Sequence, residues 1–98
     1  MYYSKMDDLQ RILYPARIFV LKSLMNNESV RFQKFKKDLN MSDGNLWSNL
    51  RALEQMGLVT LGKEIDEGGR EAYTIYTITE KGKSAYLDLR SRLLLLLQ

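Results

Sequence analysis

The chain contains neither cysteine nor histidine, and these two absences exclude several classes of chemistry. Without cysteine there can be no disulfide framework, no thiolate metal site and no thiol nucleophile. Without histidine the chain lacks the commonest general base and the commonest metal ligand. Its carboxylates are scattered over segments that we predict to be exposed. The sequence therefore predicts no nucleophile–base pair, no metal site and no cofactor, and we expect that the protein is not an enzyme.

Long apolar runs are missing as well. No segment reaches the ~18 consecutive apolar residues that a membrane span needs, and residues 1–8 lack the basic-then-apolar pattern of a signal peptide. We therefore expect a cytoplasmic protein that does not enter a membrane. A length of 98 residues predicts one small domain. The net charge of +3 permits nucleic-acid binding without requiring it.

Proline occurs once, at Pro15, and divides the apolar pattern near the amino terminus. Before it, a pair of residues with capping-box spacing and a set of apolar residues predict a short helix over about 4–13. Pro15 either kinks that helix or occupies the first turn of a second one. Apolar residues at helical spacing then predict a helix over about 15–25.

The segment 26–41 predicts a loop, a possible short strand at 29–31, and a further helix of about two turns. Three apolar residues at i, i+3 and i+7 define that helix: Phe32, Phe35 and Leu39. We predict that they belong to the core. A basic run accompanies them, formed by Arg31, Lys34, Lys36 and Lys37. Such a run is usually a solvated face.

The segment 42–57 carries the strongest helix signal in the chain. Ser42 is a natural N-cap, and Gly57 can adopt the left-handed conformation that ends a helix. One apolar stripe, which we predict to be buried, consists of Leu46, Leu50 and Leu53. The remaining face carries Gly44, Asn45, Trp47, Ser48 and Arg51. A face with an amide, a hydroxyl, an aromatic ring and an arginine is suited to the base edges of a nucleic acid.

From Leu58 onward apolar residues alternate, which is typical of strands. Two strands over about 58–65 and 72–79, joined by a glycine-rich turn, predict a β-hairpin. Thr79 then caps a last helix. An apolar seam on that helix consists of Tyr86, Leu89, Leu93 and Leu96. The uninterrupted leucine run at 93–97 is more apolar than one seam requires.

This order of elements, with a hairpin between the third and fourth helices after Pro15, is that of a winged helix-turn-helix. The chain resembles the small one-domain transcriptional regulators related to the MarR and ArsR groups, of the prokaryotic or archaeal type. The resemblance extends over residues 14–82, and the segments that carry it are 14–24, 32–46, 50–59 and 76–82. It implies an α+β, mostly helical fold with a two-stranded wing and a C-terminal dimerisation helix.

The resemblance also implies a role for each part of the chain. The helix at 42–56 would lie in the major groove of double-stranded DNA, and the hairpin would touch the adjacent backbone or minor groove. A core at 15–79 would stand between an N-terminal helical extension at 1–14 and a dimerisation helix at 80–98. We predict DNA contacts from the recognition helix by Ser42, Gly44, Asn45, Trp47, Ser48 and Arg51. We predict further contacts, mainly to the DNA backbone, by Arg31, Lys34, Lys37, Lys63 and Arg70.

Two features leave alternatives open. Trp47 lies one position off the leucine stripe, so it either shields the core or projects toward DNA. Between Lys63 and Glu71 the predicted wing carries two cations and four anions, a net charge of −2 that phosphate would repel. Arg70 at the tip could still reach DNA. The acidic wing favours an alternative function, a winged-helix module that binds protein and not DNA.

The leucine run is either a loose apolar end or a surface that a partner chain covers. Because extended exposed apolar patches usually mark interfaces, we expect a symmetric homodimer. The residues predicted at its interface are Leu9, Ile12, Leu13, Tyr86, Leu89, Leu93 and Leu96. Two recognition helices would then meet half-sites about one helical turn of DNA apart. The sequence identifies no effector ligand.

Overall fold

The computed structural model describes residues 10–98. In chain order its elements are α1 (Pro15–Asn26), β1 (Val30–Arg31), α2 (Phe32–Leu39), α3 (Asp43–Gln55), β2 (Val59–Ile65), β3 (Ala72–Ile78) and α4 (Glu80–Leu96). Residues 10–12 are also helical. The rest of the helix predicted over 4–13, including Leu9, lies outside the described residues.

The elements predicted from residue 15 onward are present, with bounds that differ by a few residues at most. Pro15 occupies the first turn of α1 and does not kink a longer helix. At that position the missing N–H removes a donor that would have no partner within the helix. The possible short strand is confirmed as β1, since Val30 and Arg31 pair with Tyr76 and Ile75 of β3.

The three strands form one antiparallel sheet in the order β1-β3-β2. β2 and β3 pair along their full length, from Val59 opposite Ile78 to Ile65 opposite Ala72. Their turn is closed in part by Gly69, whose φ of 69° lies in the left-handed region that glycine adopts without strain. Because β1 is only two residues long, the outer part of the hairpin extends beyond it as a two-stranded wing.

The core lies between the helices and one face of the sheet. The leucine stripe of α3 is fully buried there, as predicted, together with Phe35 of α2. Phe32 and Leu39 are only partly buried and pack against the edge of the core. Phe32 and Leu39 are the first and last residues of α2, and they lie at the rim of the core.

The end of α3, the root of the wing and the start of α4 meet at one point. Gly57 ends α3 with a φ of 77°. The Thr79 hydroxyl donates to the Gly57 carbonyl at 2.7 Å and accepts from the Gly82 N–H at 2.9 Å, which caps α4. A Cβ on Gly82 would lie 2.1 Å from the Leu58 carbonyl oxygen. The first turn of α4 therefore rests directly on the chain that enters the wing.

Two of the residues predicted at the dimer interface, Ile12 and Leu89, are buried within a single protomer. Each is only 2% exposed in a single protomer, where both belong to the core. Helix α4 packs against α1, and Leu89 is one of its buried residues. A helix with apolar residues on more than one side uses one stripe for its own domain, and the seam pattern does not show which.

Candidate nucleic-acid interface

The turn between α2 and α3 is held by contacts on both of its sides. Asn40 ends α2 in the left-handed conformation, with a φ of 52°. The Ser42 hydroxyl accepts from the Asn45 N–H at 3.2 Å and so caps α3 as predicted. Lys36 of α2 forms an ion pair with Asp43 in the first turn of α3, with Nζ 2.8 Å from Oδ1. These contacts link the end of α2 to the first turn of α3.

The outer face of α3 lies opposite the buried leucines. Gly44, Ser48 and Arg51 share it at i, i+4 and i+7, and all three are exposed. A Cβ on Gly44 would meet nothing within 4 Å, so this part of the surface is open. Gln55 continues the face at i+11 and was missed by the sequence reasoning, although its spacing of four from Arg51 was a usable signal.

Trp47 lies at one edge of this face and is only partly packed against the core. Its ring meets Phe32 edge to face, with centroids 6.4 Å apart. The residue nevertheless remains 43% exposed. It therefore covers the rim of the core with one part of the ring and leaves the other part accessible.

A second group anchors the opposite edge of α3, and the sequence analysis missed it. Arg17 of α1 donates from Nε to the Asn49 Oδ1 at 2.9 Å. Asn49 donates from Nδ2 to the Asn45 carbonyl at 2.8 Å. The Arg17 guanidinium also lies 4.3 Å from the centre of the Tyr14 ring. The only signal for this link, which joins α1 to α3, was the polar residue Asn49 beside the leucine stripe.

The structure separates the members of the basic run. Lys34 forms an ion pair with Asp38 at 2.8 Å, within α2. Lys37 is exposed, and within residues 10–98 no ion pair or side-chain hydrogen bond involves it. Arg31 turns away from α2 toward the wing. The basic run is therefore not one unpaired cationic surface. Lys34 and Lys36 form ion pairs with acidic residues of α2 and α3, and Arg31 forms one with Glu64 of the hairpin.

The acidic side chains of the wing are largely engaged with their neighbours. The Arg31 Nε donates to the Glu64 Oε1 at 2.8 Å. The Tyr73 hydroxyl donates to the Glu71 Oε2 at 2.5 Å, and this hydrogen bond raises the pKa of Tyr73. The Asp66 carboxylate accepts from the Arg70 backbone N–H at 2.8 Å and so stabilises the turn.

The two cations predicted to contact DNA from the wing are both exposed. Lys63 donates to the Thr74 hydroxyl, its cross-strand neighbour, at 3.0 Å. The Arg70 side chain lies beside Gly68 at the tip, with Nε 3.1 Å from the place a Cβ would occupy. Both side chains are at the surface, so contact with a ligand at the wing would not require breaking a buried contact.

Tyr76 of β3 is the buried aromatic residue at the root of the wing. Its ring centroid lies 6.3 Å from that of Phe35. Its hydroxyl is buried and has no hydrogen-bond partner among the described residues. Burial raises the pKa of Tyr76 to about 12, because the phenolate would lose its hydration.

The carboxyl end of α4 carries the large apolar side chains with the highest exposed fractions in the described chain. Leu95, Leu96 and Leu97 are 69%, 79% and 81% exposed. Tyr86 and Leu93 are partly buried against the core. Leu13, at the other end of the chain, is 46% exposed. The exposed apolar surface is therefore shifted toward the carboxyl end of α4 relative to the predicted seam.

Other kinds of site find no support in the part of the chain that is described. Residues 10–98 contain no group of three or more acidic side chains placed to hold a metal ion. None of the helices in this range is both long enough and apolar enough to cross a membrane.

A family model described as a winged helix DNA-binding domain matches residues 16–95. The chain belongs to this family. The match includes the helix-turn-helix, the wing and nearly all of α4, so the predicted recognition of a small winged-helix regulator and its α+β fold are confirmed.

Individual proteins agree with this assignment. An uncharacterized protein of Methanocaldococcus jannaschii is 37% identical over 71 residues, which cover 72% of this chain and 75% of the relative. A transcriptional regulator homologue of Pyrococcus horikoshii has a TM-score of 0.81 and 25% identity, and the match covers 96% of this chain and 94% of that one.

A transcriptional regulator of the MarR family from Enterococcus faecalis has the same fold, with a TM-score of 0.77. It is 22% identical, and the match covers 92% of this chain and 79% of that chain. The family and these structural neighbours are described as DNA-binding domains and regulators. They are not enzymes, in agreement with the expectation from composition.

Proposed function

We propose that this protein is a transcriptional regulator that binds specific sequences of double-stranded DNA as a homodimer. The observation that carries the proposal is the outer face of α3, where exposed side chains capable of hydrogen bonding stand on a helix whose other face is locked into the core. In a winged helix DNA-binding domain this helix is the element that enters the major groove.

The chemistry of that face fits base recognition. The major groove is about 12 Å wide and admits an α-helix. Asn45 and Ser48 lie in the first two turns of α3, the part of a recognition helix that usually approaches base edges. An amide can bond adenine, and a hydroxyl can donate or accept. Trp47, beside Ser48, is suited to apolar contact, and Arg51, one turn farther along the helix, is suited to guanine or phosphate.

Phosphate contacts come mainly from the helix-turn-helix in this proposal. The N–H groups at the start of α3, near Ser42 and Gly44, face an approaching backbone and favour an anion. Lys34 and Lys37 add positive charge from the exposed side of α2. Lys63 and Arg70 are secondary contacts, because the wing around them has a net negative charge.

The homodimer would be built by the carboxyl end of α4. Its exposed leucines form an apolar surface of the kind that monomers rarely leave uncovered. Leu13 and the partly buried Tyr86 and Leu93 would extend this surface, and Leu9 remains a prediction outside the described residues. A twofold arrangement would present two copies of α3 to half-sites about one helical turn apart. A regulator of this kind acts on the chromosome, so the proposal includes a cytoplasmic location.

Specific binding is tested by selecting duplexes from a random library and titrating a selected duplex against a scrambled one at fixed salt. We expect Asn45→Ala and Ser48→Ala to narrow the ratio of the two affinities, since a good base contact is worth roughly 1–3 kcal/mol. Thermal unfolding should be almost unchanged, because both side chains are exposed. Ser84→Ala, an exposed serine of α4, is the matched control.

Equal affinity for selected and scrambled duplexes in the wild type, or an unchanged ratio in all variants, would contradict sequence reading by α3. A binding constant that does not vary with salt would exclude phosphate neutralisation altogether. Either result would favour the alternative function, a winged-helix module that binds protein. The acidic wing is the observation that supports this alternative.

The dimer is tested by sedimentation at micromolar concentration. Truncation after Arg90 should give monomers or aggregates, but it also removes Leu93, which packs against the core. The sharper variant is therefore Leu95→Lys with Leu96→Lys, which adds charge only at exposed positions and should give a folded monomer. Ile65→Lys on the wing, at a residue that is 65% exposed, is the control. A wild-type protein that sediments as a monomer would refute the dimer.

A further inference from the structure

Arg31 of β1 contacts both other strands of the sheet, through its backbone and its side chain. Its backbone pairs with Ile75 on the central strand β3. Its side chain crosses that strand and bonds Glu64 on β2, with Nε 2.8 Å from Oε1. On the way the guanidinium lies 4.0 Å from the centre of the Tyr73 ring. Tyr73 and Glu64 are register partners, so the arginine covers a single cross-strand pair.

These contacts extend the support of the hairpin beyond the point where backbone pairing with β1 stops. β1 bonds β3 only at residues 75 and 76. Farther out, the hairpin is two-stranded, and an isolated two-stranded hairpin is marginally stable in water. The Arg31 side chain reaches the Glu64–Tyr73 pair, which lies two residues farther out along β3. Since Arg31 directly precedes α2, the contact ties the wing to the start of the helix-turn-helix.

The same contacts account for the acidic composition of the wing. With Arg31 counted, three cations face four anions, and the net charge of the wing becomes −1. Three of the four carboxylates accept a hydrogen bond within the wing region: Glu64, Asp66 and Glu71. Within the described residues, Glu67 has no hydrogen bond or ion pair. Most of the negative charge is therefore used to hold the hairpin together.

We propose that Arg31 is a positioning residue that holds the wing against the helix-turn-helix through Glu64 and Tyr73, and that it is not a contact to DNA phosphate. The statement about phosphate rests on the proposed function, whereas the statement about the wing does not. A planar guanidinium can bond a carboxylate and lie flat on a ring at once, and a lysine ammonium cannot reproduce both contacts. The role is therefore specific for arginine.

The free protein provides the first test. We expect Glu64→Gln and Arg31→Lys each to increase hydrogen exchange of amides at residues 62–65 and 72–75 by several-fold, with α1 unchanged. Glu67→Gln makes the same change of charge on the same wing without removing a contact, and it should leave exchange as in the wild type. The exchanged pair Arg31→Glu with Glu64→Arg should restore most of the protection. Wild-type exchange in both single variants would overturn the proposal.

The second test uses a labelled random-sequence duplex of ~30 base pairs and a series of salt concentrations. Arg31→Ala should weaken binding without changing the slope of log affinity against log salt. Glu64→Gln should raise affinity no more than Glu67→Gln does. If Arg31 instead contacts phosphate, Arg31→Ala should flatten the slope by about 1, and Glu64→Gln should strengthen binding beyond its control.

The two tests separate this inference from the proposed function. If the wild type binds no duplex, the proposed function fails, but hydrogen exchange still decides whether Arg31 holds the wing. If DNA binds and exchange in the variants is unchanged, the positioning role fails and the DNA-binding function stands. A flattened slope in Arg31→Ala overturns the part of the proposal that concerns phosphate, whatever the exchange shows.

Discussion

The outer face of α3 and the wing are both exposed, but their polar side chains differ in how many hydrogen bonds and ion pairs they form. On the outer face of α3, Ser48, Arg51 and Gln55 make no side-chain hydrogen bond or ion pair within residues 10–98. In the wing, by contrast, three of the four carboxylates accept hydrogen bonds, from the Arg31 side chain, the Arg70 backbone N–H and the Tyr73 hydroxyl. Exposure alone therefore does not show that a group is available to a ligand, and the bonding of each side chain must be examined.

The contrast extends to charge. Residues 32–55 carry four cations and three anions, a net charge of +1, whereas residues 63–71 have a net charge of −2. A single exposed ion pair is worth at most about 1 kcal/mol, so the Arg31–Glu64 pair of the wing acts together with the hydrogen bonds at Asp66 and Glu71. The helix depends on its buried leucines, which leaves its outer face free to differ in sequence without loss of stability.

The largest effect on stability is expected at Gly82, where the end of α3, the root of the wing and the start of α4 meet. Gly82→Ala would place a Cβ 2.1 Å from the Leu58 carbonyl oxygen and 2.7 Å from the Ile78 Cγ1. The Leu58 carbonyl is backbone and cannot rotate away as a flexible side chain would, so we expect a loss of roughly 3 kcal/mol in unfolding free energy. Urea unfolding measures it. A transition midpoint equal to that of the wild type would show that α4 can move away from the wing.

Charge removal should distinguish the two regions next. Lys34→Ala with Lys37→Ala should weaken binding to all duplexes on the order of tenfold and flatten the salt slope by about 2. Lys63→Ala with Arg70→Ala removes the same charge from the wing and should have a smaller effect on both quantities. Fluorescence anisotropy over a salt series measures both. A larger effect from the wing pair would reverse the assignment of the main phosphate contacts.

A smaller effect is expected at the root of the wing. Tyr76→Phe removes a buried hydroxyl without a partner, and we expect a gain of about 1 kcal/mol in unfolding free energy. Since the folded state raises the pKa of Tyr76 from 10.0 to about 12, wild-type stability should be intact below pH 10 and fall as pH rises toward 12.

The phenylalanine variant should lack this part of the alkaline loss. Chemical unfolding at several pH values, compared between the two proteins, measures the difference. Tyr14→Phe, at an exposed tyrosine, is the control for the other phenolic groups. A variant less stable than the wild type at neutral pH would show that the hydroxyl has a partner in solution.

The smallest effect on unfolding free energy is expected at the start of α3. Gly44→Ala should raise unfolding free energy by roughly 0.5–1 kcal/mol, because alanine favours a helix and its Cβ meets nothing within 4 Å. If DNA approaches closely there, the same variant should bind a duplex several-fold more weakly. A more stable protein with undiminished affinity would remove Gly44 from the predicted contacts.

Much of the fold could be predicted because its signals are local. The caps at Ser42 and Thr79, the buried stripe of α3 and the glycine-rich turn all depend on residues within a few positions of each other. The same holds for the exposed face of α3, since burial of one stripe determines the opposite side. Gln55 was missed on that face because the sequence reasoning stopped one turn too early.

Contacts between distant segments could not be predicted in this way. Arg17 and Asn49 are 32 residues apart, and Arg31 and Glu64 are 33 apart. The sequence shows that such residues are polar but does not show which partner each will meet. For the same reason the basic run near α2 was treated as one surface, although its members point to different neighbours.

The sequence by itself determined where the helices and the hairpin begin and end, since hydrogen bonding within a segment and alternation of apolar residues act over short distances. Tertiary structure decided which apolar and charged residues remain free. Ile12 and Leu89 are buried in the core of a single protomer, and Arg31 supports the wing because the strand order places Glu64 across β3. Each polar or apolar side chain has many chemically possible partners. Tertiary packing decides which of them it meets, and no local sequence pattern predicts that outcome.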